Sequence, residues 1–370
     1  MHPEHVVKLS LVKNPSYTGR WAAFLPAMAV FIICCGTGDE KAPPVGRAPT
    51  VRTDAEAEKH ARSPGEGAGE KSSTHPAGAS ADDGDECLWN GMDAEYVLEK
   101  IRHMRILGLR PTGGSSVSFR LFLEGDVDAA FKPQTVDGAP WRTEVAAWVL
   151  SRLLGLCSVP PADSRIVNVN RLVEKLKEKH PSSARDLTDK ASVRGKNLLR
   201  GAVAYWVPDL EPTEMETAAG AAEWIAQLSQ SSDVKPGHEE DVRQLSQLLL
   251  FDYLIANWDR FSGGNIFRTP GGRIIFLDNN AAFSASVNAQ RMKKLDGLLK
   301  KVEKFSAGFV DRLRSLDMET MTASFRKKTS GTHLLSMEEV GAVMKRRGVI
   351  LDHVEELIRK HGRERVMLWP

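Results

Sequence analysis

The chain has 370 residues, and 50 Lys+Arg against 48 Asp+Glu leave a formal charge of +2. That near-neutral balance excludes binding driven by bulk charge, such as a nucleic-acid clamp or a polybasic membrane sheet. With 42% hydrophobic and 26% charged residues, most of the chain can bury a core. The composition excludes a coiled coil, a repeat array and a polytopic membrane protein.

The N-terminus is distinct from the rest. Lys8, Lys13 and Arg20 precede an apolar run from Trp21 to Ile33 that is broken by Pro26. The run is too short for the ~20 residues a spanning helix needs and fits the apolar region of an export signal over residues 1–35. Ile32-Ile33-Cys34-Cys35 resembles a degenerate bacterial lipobox with Cys35 as the acylated residue. A cleaved signal and a short signal anchor are the alternatives. Residues 36–86 turn to Gly, Ala, Pro, Ser, Thr, Asp and Glu, with no aromatic and only Val45 and Val51 as larger aliphatics. Such a segment cannot bury enough apolar surface to offset its ordering entropy and reads as a flexible tether. The expectation is an exported protein of the cell envelope whose membrane contact is an N-terminal lipid anchor only; a cytoplasmic chain is the alternative. The four cysteines include no CxxC, and with scattered histidines they give no zinc-ligand spacing.

From Cys87 the pattern becomes globular. Asp93 to Leu107 has helical periodicity through Val97, Ile101, Met104 and Leu107. A turn with Pro111, Gly113 and Gly114 leads to strands Val117 to Leu123 and Val127 to Phe131, the second ending at Lys132-Pro133. Trp141 to Leu154 reads as a helix, and Arg165 to Val169 and Gly201 to Val207 as strands. After Pro208 the chain is mainly helical, with a leucine-rich helix from Asp241 to Ala256 and a hairpin of Ile266 to Arg268 and Arg273 to Leu277. The charged stretch Leu172 to His180 and the basic runs Lys293–Lys304, Arg326-Lys327-Lys328 and Lys345-Arg346-Arg347 read as solvated outer faces. Periodicity alone gives an α+β chain.

Phosphoryl transfer needs a cation on the phosphates, carboxylates for a metal and a carboxylate on the incoming hydroxyl. The sequence offers each in order. Lys132 ends a strand after a Gly-containing hairpin, and Glu144 lies in the following helix, where it can pair Lys132. Asp259 follows the buried-looking helix and precedes Gly263-Gly264-Asn265, where an acceptor base and a metal-binding amide would lie. Asp278 follows the apolar strand Ile274-Ile275-Phe276-Leu277. Each alone has a bland reading as a surface or turn residue; their joint order carries the argument.

Ala130-Phe131-Lys132-Pro133, Glu144-Val145-Ala146-Ala147 and Val159-Pro160-Pro161 followed by Arg165-Ile166-Val167-Asn168 resemble the N-lobe of the secretory-pathway kinases, the family of Four-jointed and the Golgi casein kinase. Gly201 to Asp209 resembles their strand into the hinge, Phe251 to Arg260 their catalytic segment, and Leu277-Asp278-Asn279 with Phe283 their metal-binding segment. The resemblance implies an atypical two-lobed protein-kinase-like fold with a β-rich N-lobe over 87–208 and a mainly helical C-lobe over 209–370. It further implies Lys132 on the nucleotide phosphates, Glu144 pairing with it and reaching the metal, Asp259 as catalytic carboxylate and Asp278 as metal ligand. Tyr205, Trp206 and Val207 would line the adenine, mainly through backbone groups, and Gly113 and Gly114 would belong to the phosphate loop. Asn265 is implied as a second metal ligand, six residues after Asp259 where ordinary protein kinases place it five after.

ATP with Mn²⁺ or Mg²⁺ is the implied cofactor set. The implied activity is transfer of the γ-phosphate to a hydroxyl, of Ser/Thr in a protein first, with a glycan or small molecule, or an inactive nucleotide-binding scaffold, as alternatives. Golgi members carry several disulfides, and this domain offers only Cys87–Cys157. Gly113-Gly114-Ser115-Ser116 departs from GxGxxG, and there is no Ala-Pro-Glu segment.

Overall fold

Strict alternation fixes the first half of the fold. Phe119, Leu121 and Leu123 of one strand and Ala129, Phe131 and Pro133 of the next are buried, while the residues between them are partly exposed. The computed structural model describes residues 87–113, 116–326 and 333–370, all within one unit, Pro76–Pro370. The signal and tether readings, Gly114, and Lys327 and Lys328 lie outside the described residues.

In chain order, α1 (Ala94–His103) is capped by Asp93, whose carboxylate accepts from the Tyr96 N–H at 2.7 Å. It is followed by β1 (Ile106–Pro111), β2 (Phe119–Leu123), β3 (Ala129–Pro133), α2 (Pro140–Leu153), β4 (Ala162–Asn168), α3 (Val169–Lys177), α4 (Pro181–Lys190), β5 (Val193–Arg194) and β6 (Leu198–Tyr205). The sheet is antiparallel in the order β1-β2-β3-β6-β4, with β5 also pairing β6. α1, α3 and α4 bury Val97, Ile101, Leu172, Leu176 and Leu187 with Phe119, Leu121, Phe131 and Val203. Ala202, the pairing partner of Lys132, joins the core of α2 instead. Period-2 geometry therefore sends Lys132 to the α2 side and Phe131 to the other. Gly201 has a steric reason: a Cβ there would lie 2.4 Å from the Phe131 ring and 2.7 Å from the Lys132 carbonyl.

The second half adds β7 (Glu211–Pro212), a 3₁₀ turn at Glu214–Glu216, α5 (Ala218–Ala226), α6 (Glu239–Ile255), a second 3₁₀ turn at Arg260–Ser262, β8 (Ile266–Arg268) and β9 (Ile274–Phe276). The helices α7 (Ala289–Leu299), α8 (Ala307–Ser315), α9 (Met318–Ser324), α10 (Met337–His361) and α11 (Arg363–Val366) complete it. β7, β8 and β9 form a small antiparallel sheet. α6 is buried on nearly every side, with Leu245, Leu248, Phe251, Leu254 and Ile255 all at zero exposure. Each such side chain contributes roughly 1.5–3 kcal/mol, which makes α6 the axis of this half. Trp141, Val145, Ala146 and Leu150 of α2 belong to the same core, so α2 is anchored on both halves. This is the α+β two-lobed arrangement expected.

Several expectations need correction. The periodicity to Leu107 overran the helix: α1 stops at His103, and Ile106–Pro111 pairs with β2, leaving Leu107 exposed. Backbone pairing to a neighbouring strand outweighs a helical stripe that has no surface to pack on. The β4 strand ends at Asn168, whose side chain caps α3. α3 is amphipathic rather than merely solvated, since Leu172 and Leu176 are buried. In the basic runs, Lys304 and Arg346 are buried, not outward. Lys304 donates to the carbonyls of Gln227 at 2.8 Å and of Ser232, and Arg346 to that of Leu254 at 2.8 Å. A long cationic side chain can replace its lost hydration with carbonyls, which a reading of charge runs does not register.

Candidate active site

Lys132 leaves β3 towards α2 and reaches two carboxylates. Its ammonium donates to Glu144 Oε1 at 2.6 Å and lies 3.0 Å from Asp278 Oδ1. Glu144 is 6% exposed, and the same Oε1 accepts the backbone N–H of Asn279 at 3.0 Å. Burial by itself would push the Lys132 ammonium down, but Glu144 and then Asp278 outweigh it and hold its pKa above the ordinary lysine value. Burial likewise opposes ionisation of Asp278, yet the charge of Lys132, the Asn280 N–H and Arg260 together hold its carboxyl below the usual range. Two carboxylates thus converge on one ammonium, which the fold holds between them.

Asp278 just follows β9 and takes a left-handed φ of +54°. Its carbonyl accepts from Asn257 Nδ2 at 3.2 Å, and Asn257 Oδ1 in turn accepts the Asp259 N–H at 3.4 Å. α6 ends at Ala256 in the left-handed region, φ +57°, which turns Asn257–Arg260 back under the Asp278 segment. Next to Asp259, the buried Arg260 donates from Nε to both Asp252 oxygens, at 3.2 and 3.0 Å, and from Nη2 to Asp252 Oδ1 at 2.9 Å. It also donates to the Leu277 carbonyl and, at 2.8 Å, to Asn279 Oδ1. The structure therefore joins Lys132, Glu144 and Asp278 directly and connects Asp259 to them through Asn257.

The remaining expected residues fall less simply. Asn265 is buried, but its amide nitrogen is bonded into the preceding loop, to the carbonyls of Asp259 at 3.4 Å and Arg260 at 3.3 Å and to Ser262 Oγ at 3.1 Å. Only its Oδ1 is left for a metal. The Asn265 N–H is taken by Glu216 at 2.7 Å. Tyr205 is buried and meets Trp89 edge-on. The Tyr205 and Trp206 N–H groups donate to Pro161 and Asp128 carbonyls at 2.8 and 3.0 Å, so neither is free for a purine. Val207 and the carbonyls of this strand end are the backbone groups that remain. Gly113, at φ +81°, lies exposed in the turn after β1.

The donor set fits a hard divalent cation. Asp278 and Glu144 present carboxylate oxygens to one point, marked by Lys132. Among the described residues no group of three or more His, Cys, Asp or Glu could hold a metal by itself. Mg²⁺ and Mn²⁺ suit such sites, where one or two carboxylates share the ion with phosphate and water oxygens.

Reading by motif missed Asp252, Asn257, Arg260, Glu216 and Asn279 as site residues. One signal was present: Asp252 interrupts the apolar run Phe251 to Ile255, and a buried carboxylate there needs a cationic partner. An open cavity of about 500 Å³ lies beside the 259–262 loop, lined by Glu216, Ala221, Ile225, Phe261, Lys294 and Leu298. Lys294 donates to the Trp258 carbonyl at 2.8 Å, and Arg291 lies 3.8 Å from the centre of the Trp258 ring.

The fold is kinase-like. A Golgi casein kinase structure with Mn/ADP bound matches at a TM-score of 0.55 and 19% identity, covering 73% of this chain and 77% of that one. The structure of hydra Fam20 with sugar matches at 0.56 and 19% identity over 74% and 91%. At these identities the likeness speaks to the fold alone. The family follows from sequence: a model of the Four-jointed box protein middle domain matches residues 93–358, and the chain belongs to that family. Human Four-jointed box protein 1 is 27% identical over 222 residues, which cover 50% of this chain and 45% of the human one. The chain thus spans about half the length of the curated relatives it matches.

Proposed function

We propose that the protein is a phosphotransferase that moves the γ-phosphate of ATP to a hydroxyl, with Ser/Thr of a protein as the acceptor. The observation that carries this reading is Lys132 held between Glu144 at 2.6 Å and Asp278 at 3.0 Å, with Asp259 tied to the same segment through Asn257. Lys132 binds the α/β-phosphates, and Glu144 keeps its ammonium in place. Asp259 accepts the proton of the acceptor hydroxyl as that oxygen bonds to the γ-phosphorus. The bond from phosphorus to the β–γ bridging oxygen breaks, and ADP leaves with the electron pair. Asp278 and Glu144, with Asn265 Oδ1 as a further donor, are the residues that would hold Mn²⁺ or Mg²⁺, which when bound supplies charge neutralisation on the phosphates. Val207 and the adjoining carbonyls line the adenine.

The acceptor would approach over the cavity beside Phe261. The Cys87–Cys157 disulfide, with Cα atoms 5.5 Å apart, supports an exported protein, because such bonds persist in oxidising compartments. Cys35 remains the proposed lipid attachment. No described helix is long and apolar enough to cross a membrane.

The test is transfer of labelled γ-phosphate by the full chain with ATP and Mn²⁺ or Mg²⁺, offered a protein mixture and a glycan mixture separately. Label on protein Ser/Thr supports the reading, and label on glycan alone moves the acceptor class. Nucleotide and metal binding with no transfer to either makes the protein a scaffold.

A further inference from the structure

Arg260 is 1% exposed, and its charge is answered by Asp252, 2% exposed, through a two-pronged pair. That pair would satisfy a purely structural ion pair. The guanidinium has further donors, however, and they go to the Leu277 carbonyl and to Asn279 Oδ1, the two residues that flank Asp278. Between them Asp278 sits at φ +54°, a conformation a non-glycine residue keeps only where its surroundings over-determine it. Asn257 holds the carbonyl of Asp278 itself. Three consecutive residues are thus gripped from the 257–260 segment. The consequence reaches Glu144, because the Asn279 N–H that Arg260 helps to place is the one donated to Glu144 Oε1 at 3.0 Å.

We infer that the Asp252–Arg260 pair is the positioning device of the metal site: one buried guanidinium, by fixing the backbone at 277–279, aims the Asp278 carboxylate directly and the Glu144 carboxylate through the Asn279 N–H. Arg260 and Asp252 are positioning residues, since both are buried and the guanidinium bonds the Leu277 carbonyl and the Asn279 side chain on either side of Asp278. The inference rests on the reading that Asp278 and Glu144 hold the nucleotide-borne cation. Lysine cannot substitute, because an ammonium lacks the planar fork that spans Asp252, Leu277 and Asn279 at once.

The test compares full-length wild type with Arg260→Lys and Asn279→Ala. The second keeps the Asp252–Arg260 pair and so guards against a variant that merely fails to fold. Mn²⁺ affinity is read by electron paramagnetic resonance in the presence of ADP, and amide hydrogen exchange is followed in the metal-free protein. The expected result is Mn²⁺ binding ~10–100-fold weaker in both variants, the range typical for partners that orient metal ligands. Exchange should be faster over 277–281, with α6 protection unchanged. Mn²⁺ affinity within twofold of wild type, or weakening that comes only with lost protection throughout α6, overturns the inference. Wild type that binds Mn²⁺ with ADP but transfers no phosphate defeats the phosphotransfer reading while leaving this comparison intact. Wild type that binds no Mn²⁺ overturns both.

Discussion

The Glu144 carboxylate accepts the backbone N–H of Asn279 at 3.0 Å across 135 residues of sequence. This bond joins the helix that follows the N-terminal strands to the segment that carries Asp278. Glu144 is thus held by two unrelated elements, β3 through Lys132 and the 277–279 backbone. Its helix α2 is packed into the same core as α6, and the Lys132–Glu144 pair is already formed at 2.6 Å.

Glu144→Gln keeps the shape and an acceptor for Asn279 but removes the charge that compensates Lys132. It should cost ~1–3 kcal/mol in urea unfolding, and Mn²⁺-dependent nucleotide binding should weaken at least tenfold. Unchanged metal dependence would remove Glu144 from the site.

Arg260→Met strands the Asp252 carboxylate in the core and should destabilise by ~3–5 kcal/mol. The double change Arg260→Met with Asp252→Leu removes both charges and should recover most of that loss. Denaturant midpoints read the recovery. If the single and double variants are equally unstable, the pair is not the source of the cost.

Cys87 and Cys157 are 70 residues apart in sequence, and closing a loop of that size is worth ~4 kcal/mol in the chain-entropy model. The bond also tethers the strap on which Arg273 donates to the Leu88 carbonyl and lies over Trp89. Cys87→Ala with Cys157→Ala should lower the unfolding midpoint under oxidising conditions and abolish the sensitivity of wild type to reductant. Equal midpoints in oxidised and reduced wild type would contradict this.

The pH dependence of the metal-free protein follows from two opposite shifts. Asp278 has a depressed pKa, so its contribution is complete above the unfolded carboxylate value of ~3.9 and is lost as pH falls through the lower folded value. Lys132 has a raised pKa, so its contribution is complete below ~10.4 and is lost as pH rises through the higher folded value. Lys132→Met should therefore remove both a strongly alkaline limb and part of the acid limb from the stability profile. A Lys132→Met variant whose stability still falls along the same alkaline limb as wild type would contradict the Lys132 assignment.

The order Lys132, Glu144, Asp259, Asp278 was legible in the sequence because each residue lies in or beside a strongly periodic element. Alternation through Phe131 predicts which face Lys132 takes, and the length of the leucine-rich helix places Asp259 after its end. The Asp252–Arg260–Asn279 connection was not legible. It joins a helix interior, a turn and a strand end, separated by 8 and 19 residues, and no periodicity relates them. β1 was hidden for a similar reason: its apolar residues fit a helical stripe, and only the partner strand decides between the two. The buried Lys304 and Arg346 show the same limit, since the carbonyls that receive them come from distant turns and helix ends.

In the proposed transfer, Asp259 takes the acceptor proton while Lys132, Glu144 and Asp278 hold the nucleotide. The most direct measurement is γ-phosphate transfer by full-length wild type and Asp259→Ala, with Mn²⁺-dependent ATP affinity determined on the same preparations. Transfer is expected to fall to background in Asp259→Ala, with an affinity within about twofold of wild type, well under the ~1.4 kcal/mol of a tenfold change. Transfer persisting at the wild-type rate in Asp259→Ala would contradict that role.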